Sequence, residues 1–270
     1  PSRQRLVVEL PQEGTTHRRR MLLLEGCAQG ALAPNINAAT RRILYHLKIN
    51  AFVAKGAGCC GAACHHTSGV AEGLKQARRN IDAWWPWIEQ GIESVVMTAS
   101  GCGVHVKDYG HLLRSDLAYA DKAQRVSVLT KDLSEVLANE DLSEFRLKTP
   151  LSAKIAFHSP CTLQHGQKLN GVVEKILEDL GFALNEVPDA HLCCGSAGTY
   201  SLLQSDLSQR LLTRKLTALS KGDPQMIATA NIGCLTHLQS QTNITVLHWI
   251  ELLADTYFTQ EAETQTLRDQ

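Results

Sequence analysis

Short apolar runs alternate along this chain with stretches whose apolar residues recur every three to four positions. MLLLEG (21–26) has the pattern of a buried strand and ends at Cys27. INAATRRILYHL (36–47) has helical spacing, and INAFVAK (49–55) is the next strand, running into a glycine-rich loop. From Val70 onward, Leu74, Ala77, Ile81 and Trp84 recur at helical intervals and predict an amphipathic helix. Its end, AWWPW (83–87), is expected to break at Pro86. ESVVMTAS (93–100) is a third strand and leads to Gly101-Cys102.

The second half repeats the order. AKIAFHSP (153–160) is a strand before Cys161, and GVVEKILEDLG (171–181) is a helix closed by glycine. FALNEVP (182–188) and QMIATANIG (225–233) are strands that precede Cys193 and Cys234. Strands alternating with helices predict parallel sheets. The reading is therefore two duplicated Rossmann-like α/β domains with parallel sheets, 1–145 and 146–270, whose chemistry gathers at the C-terminal strand ends.

The cysteines carry the duplication. The interval from Cys27 to Cys59-Cys60-Gly61 is identical to that from Cys161 to Cys193-Cys194-Gly195. Each half closes with a further cysteine, Cys102 or Cys234, preceded by glycine and followed three positions later by His105 or His237. One offset relates the first three cysteines of the two halves, and the fourth departs from it by only two positions. Of nine cysteines only Cys64 has no counterpart, because Gly198 stands at the matching position. The plainer reading of Cys64-His65-His66 is a loop thiol beside solvent-facing histidines; a spare ligand or redox thiol is the sharper one. An odd thiol count without a secretion signal argues against a disulfide framework.

Adjacent thiols in a glycine-rich loop are two ligands for one cavity, and the glycines let the backbone approach a bulky core. Four thiolates suit zinc or an iron–sulfur cluster. The C-x₃₁-C-C spread is unlike a compact zinc knuckle, and adjacent ligands suit a multi-metal core better than one tetrahedral ion. The spacing favours Cys27, Cys59, Cys60 and Cys102 as one ligand set and Cys161, Cys193, Cys194 and Cys234 as the other.

This doubled C-x₃₁-C-C-G…C pattern resembles the cysteine-rich CCG domain over about residues 20–255, and FHSPCTLQHGQKL resembles that family's His-x-Pro-Cys segment at His158, Pro160 and Cys161. The family occurs in heterodisulfide reductase and in iron–sulfur subunits of anaerobic glycerol-3-phosphate dehydrogenase, lactate-utilisation systems and glycolate oxidase. The chain is most similar to the C-terminal portion of the glycolate oxidase type. The resemblance implies up to two [4Fe-4S] clusters and electron transfer from glycolate, through a partner flavoprotein carrying FAD, toward a quinone or other membrane acceptor. It also implies a ferredoxin-like iron–sulfur module as a partner, and no catalysis by this chain alone. Where the family's fullest motif ends in C-x-x-C, this chain has His105 and His237, which makes them secondary ligand candidates. Four cysteines per half suit a cubane cluster better than the noncubane form of heterodisulfide reductase. Thiol–disulfide redox chemistry and a zinc-binding structural module are the alternatives.

Charge adds an exclusion. Lys+Arg and Asp+Glu both number 27, so nothing argues for nucleic acid. No apolar run reaches the roughly 18–20 residues of a spanning helix, and the first residues lack a signal-peptide pattern. The expectation is a cytoplasmic chain, peripheral at the inner membrane if its acceptor lies there. The tryptophans of AWWPW read as core, or as a partner surface across Trp84–Trp87. The polar tail after Phe258 is expected to fray.

Overall fold

The structure, a computed structural model, describes residues 17–149 and 151–268, with side chains through Ala262. The N-terminal stretch read for a targeting signal falls largely outside these residues. The chain divides into two compact units between Val136 and Leu137.

The first unit is built on β1 (Arg19–Leu23), β2 (Ile49–Phe52), β3 (Val95–Met97) and β4 (Thr130–Asp132), in the order β2-β1-β3-β4. The second is built on β5 (Ile155–His158), β6 (Leu184–Asn185), β7 (Met226–Thr229) and β8 (Thr245–His248), in the order β6-β5-β7-β8. Every neighbouring pair is parallel. Met21–Leu23, all of β3 and all of β5 are buried. Such continuous apolar burial is what a parallel sheet covered on both faces demands.

The sequence pattern marks three strands per half; among the described residues the structure has four in each unit. The missed strands, β4 and β8, flow directly into the helices Leu133–Leu137 and Trp249–Arg268. With no turn residues between strand and helix, the usual punctuation is missing.

The helix Val70–Glu89 turns Ala77, Asn80, Ile81, Trp84 and Ile88 inward. It runs through Pro86 to Glu89 instead of breaking there. A proline this far into a helix removes its own bond to the carbonyl four residues back and crowds that carbonyl. Here Trp84 and Ile88, buried on either side of it in the core, hold the last turn in place. Trp84 is fully buried. Trp87 meets Phe52 ring to ring at 4.8 Å, and Trp85 lies beneath the Lys122 ammonium at 5.2 Å. The stretch is therefore a core wall, and Trp84 cannot face a partner. The C-terminal helix continues through the polar tail to Arg268. Among the described residues no helix is long and apolar enough to cross a membrane.

Candidate metal centre

In the order β2-β1-β3-β4 the chain leaves β1 on one side and returns on the other at β3. The crevice beyond the carboxyl ends of those two strands is the place where such folds build sites. Cys27 follows β1, Cys102 follows β3, and Cys59-Cys60 follow β2. The second unit repeats this with Cys161 after β5, Cys193-Cys194 after β6 and Cys234 after β7. Topology thus brings together thiols as distant in sequence as Cys27 and Cys102.

In each unit the sulfurs interact along a chain of neighbouring pairs. In the first unit Cys59 is hydrogen-bonded to Cys27 and Cys60, and Cys60 to Cys102. In the second, Cys193 is hydrogen-bonded to Cys161 and Cys194, and Cys194 to Cys234. Bonds from Cys27 and Cys60 pull the Cys59 thiol far below the ordinary thiol range. Bonds from Cys161 and Cys194 do the same to Cys193. Their donors, led by Cys60 and Cys194, are pushed up. A cluster of thiols that cannot all ionise beside one another is the donor set that a metal core, by supplying positive charge, would satisfy.

The loop that presents the paired cysteines is built alike in both units. The Gly61 N–H donates to Cys59 Sγ at 3.5 Å, and the Gly195 N–H to Cys193 Sγ at 3.3 Å. Gly61 has φ +96° and Gly195 φ +91°. A Cβ at Gly61 would lie 2.6 Å from the Gly73 carbonyl oxygen, and one at Gly195 2.4 Å from that of Ser208. Only glycine satisfies both the backbone angle and the close approach. Cys102 and Cys234 each occupy the third residue of a helix, Ser100–Lys107 and Ile232–Gln239. There the positive end of the helix dipole favours a thiolate. Cys161 opens a π-helical turn, Thr162–Gly166, a form common at functional sites.

Other residues hold the frame, and the sequence pattern does not reveal them. Asn80, fully buried, donates to the Cys59 carbonyl at 2.9 Å, and Tyr109 OH donates to the Cys60 carbonyl at 2.6 Å. Arg79 Nη2 also reaches the Cys59 carbonyl at 3.0 Å. In the second unit buried Lys215 donates to the carbonyls of Asp189 and Ala190 at 3.2 and 3.0 Å, just ahead of the cysteine pair. Burial lowers the Lys215 ammonium's affinity for its proton, while the nearby Cys194 and Cys193 oppose that shift. No linear spacing signals these residues; they act from helices that the fold lays over the loop.

His158 stands out in the sequence only through the His-x-Pro-Cys segment, yet the structure gives it a definite place. At the end of β5 its Nδ1 is 3.1 Å from Thr229 Oγ1 on β7. Its Nε2 is buried without a hydrogen-bond partner, and one nitrogen of the ring groups with the sulfurs of Cys194 and Cys234 within 4.8 Å. Burial pushes the imidazole down to about 3, so the ring is neutral. His105 and His237 each lie near enough to a cysteine, Cys59 and Cys193 respectively, to feel its charge, and each makes a further contact. His105 packs against His65 and His66, and His237 Nε2 is 3.1 Å from Ser208 Oγ. Cys64 Sγ lies 3.7 Å from Gln76 Nε2.

Comparison with known proteins adds the context. The CCG cysteine-rich domain model matches the chain twice, at residues 21–107 and 155–239. The glycolate oxidase iron-sulfur subunit of Escherichia coli (strain K12) is 55% identical over 243 residues, covering 90% of this chain and 59% of that protein. The probable glycolate oxidase iron-sulfur subunit of Bacillus subtilis (strain 168) is 26% identical over 223 residues, covering 82% and 50%. Lactate utilization protein A of Bacillus licheniformis is 28% identical over 240 residues, covering 84% and 95%. The chain thus spans between half and three-fifths of the length of the two glycolate oxidase subunits.

Proposed function

Because the chain belongs to the cysteine-rich CCG domain family, matched once in each unit, we propose that it is an electron-transfer portion of a glycolate-oxidising complex. The observation that carries this is the convergence of four thiols in each unit at the same place in the same topology. In this reading Cys27, Cys59, Cys60 and Cys102 hold one iron–sulfur cluster, and Cys161, Cys193, Cys194 and Cys234 hold a second. Each is a [4Fe-4S] cluster of the cubane kind. The clusters, when bound, supply one-electron transfer and nothing else.

The residues fit that task. The glycine-pinned loops present two adjacent thiols each and lie tight against the helices that carry Gly73 and Ser208. Asn80, Tyr109 and Arg79 lock the first loop, and Lys215 locks the segment ahead of the second. A fixed ligand frame keeps reorganisation small when an electron arrives, and a relay needs no acid or base. Substrate oxidation falls to a flavoprotein partner carrying FAD, with a ferredoxin-like iron–sulfur module between or beside them and a quinone or other membrane acceptor downstream. The identity shared with the named glycolate oxidase subunit supports this assignment.

His158 tunes the second centre in this reading. A neutral imidazole whose Nδ1 meets Thr229 can present its Nε2–H to a cluster sulfur, and such bonds raise a cluster's potential. Lys215 adds a buried positive charge nearby.

Anaerobic reconstitution with iron and sulfide tests the assignment. The expected product is brown, with a broad visible absorption and equal iron and sulfide. A colourless protein that takes up zinc in preference to iron would overturn it.

A further inference from the structure

The first unit contains a second group of potential ligands, outside the thiols. His65 and His66 end the short helix Ala62–His66, which follows Cys59-Cys60-Gly61 directly. His105 lies on the helix Ser100–Lys107, one turn beyond Cys102. The three rings form a nearly equilateral triangle, with centroids 5.4 Å (His65–His66), 5.4 Å (His65–His105) and 5.6 Å (His66–His105) apart. One nitrogen from each lies within 4.8 Å of the others. His65 Nδ1 is buried and has no hydrogen-bond partner. His105 is buried and His66 is exposed, so the triangle opens to solvent on one side.

We propose that His65, His66 and His105 form a three-imidazole site for a single zinc ion, separate from the thiol-bound centre. The dimensions suit it. Zinc–nitrogen bonds of about 2.0–2.1 Å put each ring centre roughly 3.2 Å from the metal, and tetrahedral angles then separate ring centres by about 5.2 Å. The observed triangle is only slightly wider. Imidazole suits zinc, and three neutral ligands leave a fourth position for water on the open side.

The local structure is shaped around these rings. The short helix lies directly against the helix Val70–Glu89 at Gly73, where a Cβ would come 3.0 Å from His65 Cβ and 3.1 Å from the His65 backbone nitrogen. Tyr109, which bonds the Cys60 carbonyl, meets the His105 ring edge-on at 5.8 Å. A metal held here would staple the segment after the Cys59-Cys60 loop to the helix that carries Cys102.

The second unit is a built-in control. Under the offset that relates the two cysteine pairs, Thr199 and Tyr200 stand where the first unit has His65 and His66. His237, the counterpart of His105, instead meets Ser208 Oγ at 3.1 Å. Where the two partner histidines are missing, the remaining imidazole takes a hydroxyl partner.

Zinc binding to tag-free, iron-loaded protein tests this, with free zinc removed by dialysis and zinc and iron both counted. The parent should hold one zinc that His65→Ala and His66→Ala release, with affinity weakened more than the roughly 100-fold that loss of an outer-shell partner costs. Iron content and the circular dichroism spectrum should stay at the parent level, and His111→Ala should keep the zinc. Cobalt in place of zinc should give visible bands of a nitrogen and oxygen site without thiolate charge transfer. If the protein takes no iron, the zinc difference between parent and His66→Ala still reads the triad by itself. Equal zinc in parent and His66→Ala, or thiolate charge transfer in the cobalt form, would overturn the proposal.

Discussion

At the scale of single residues, Cys60 and Cys64 are near neighbours in the chain and differ in kind. Cys60 is buried and bonded to Cys59 and Cys102, whereas Cys64 Sγ meets the Gln76 amide at 3.7 Å. Cys60→Ser should therefore cost about half of the bound iron and lower the melting temperature, because cluster binding is coupled to folding. Cys64→Ser should leave iron and melting temperature unchanged. Equal bleaching in the two variants, followed by absorbance and iron analysis, would remove Cys60 from its special place. His158 yields a different readout. His158→Leu takes away the imidazole that groups with Cys194 and Cys234. The potential of one cluster should fall, with iron content kept. A redox titration followed by electron paramagnetic resonance measures it, and an unchanged potential would reduce His158 to a strand-end packing group. Cys60 was legible in the sequence as part of a repeat. The placing of His158 Nε2 was not, because it depends on Thr229 from a strand far along the chain.

At the scale of elements, the loop between strand and helix is the recurring unit. Gly195 combines φ +91° with a would-be Cβ 2.4 Å from the Ser208 carbonyl, whereas Gly198, φ +62°, has open space around it. Gly195→Ala should cost at least about 1–3 kcal/mol from backbone strain, before the clash is counted. Gly198→Ala should cost visibly less. Urea unfolding of both variants checks the order, and a reversed order would mean that the loop does not need its present approach to the helix Ser205–Leu219. The glycines themselves stood out in the sequence beside the cysteine pairs. Their contact with Gly73 and Ser208 did not, since it arises only when a helix is laid back across the loop. Pro86 teaches the same point in reverse. Its local rule predicts a helix end, and burial of Trp84 and Ile88 overrules it.

At the scale of the whole molecule, duplication sets the expected stoichiometry. Two four-iron centres predict about eight irons per chain after anaerobic reconstitution. A plateau near four would mean that one unit keeps the fold and has lost the metal. The proposed relay role predicts that the isolated chain does not reduce a redox dye when given glycolate. Glycolate-dependent dye reduction by this chain alone, with a flavin extracted from it, would replace the relay reading with a complete enzyme. The partner surface is no longer to be sought at Trp84, which is fully buried.

Sequence alone determined the duplication, the eight repeated thiols, the parallel α/β class and the family. Those features are one-dimensional: ligand spacing along a chain and hydrophobic periodicity persist however the chain is later packed. Tertiary structure decided the rest. β4 and β8 pass straight into helices with no turn residues to set them apart, and become strands by pairing with β3 and β7. Asn80, Tyr109 and Lys215 became loop clamps because neighbouring helices lie across the cysteine loops. His65 and His66 read as solvent-facing neighbours of Cys64 until the helix bearing His105, on the far side of β3, brought a third imidazole to 5.4 and 5.6 Å from them. Convergence of side chains from separate elements is set by sheet order and helix packing, and neither leaves a spacing in the chain.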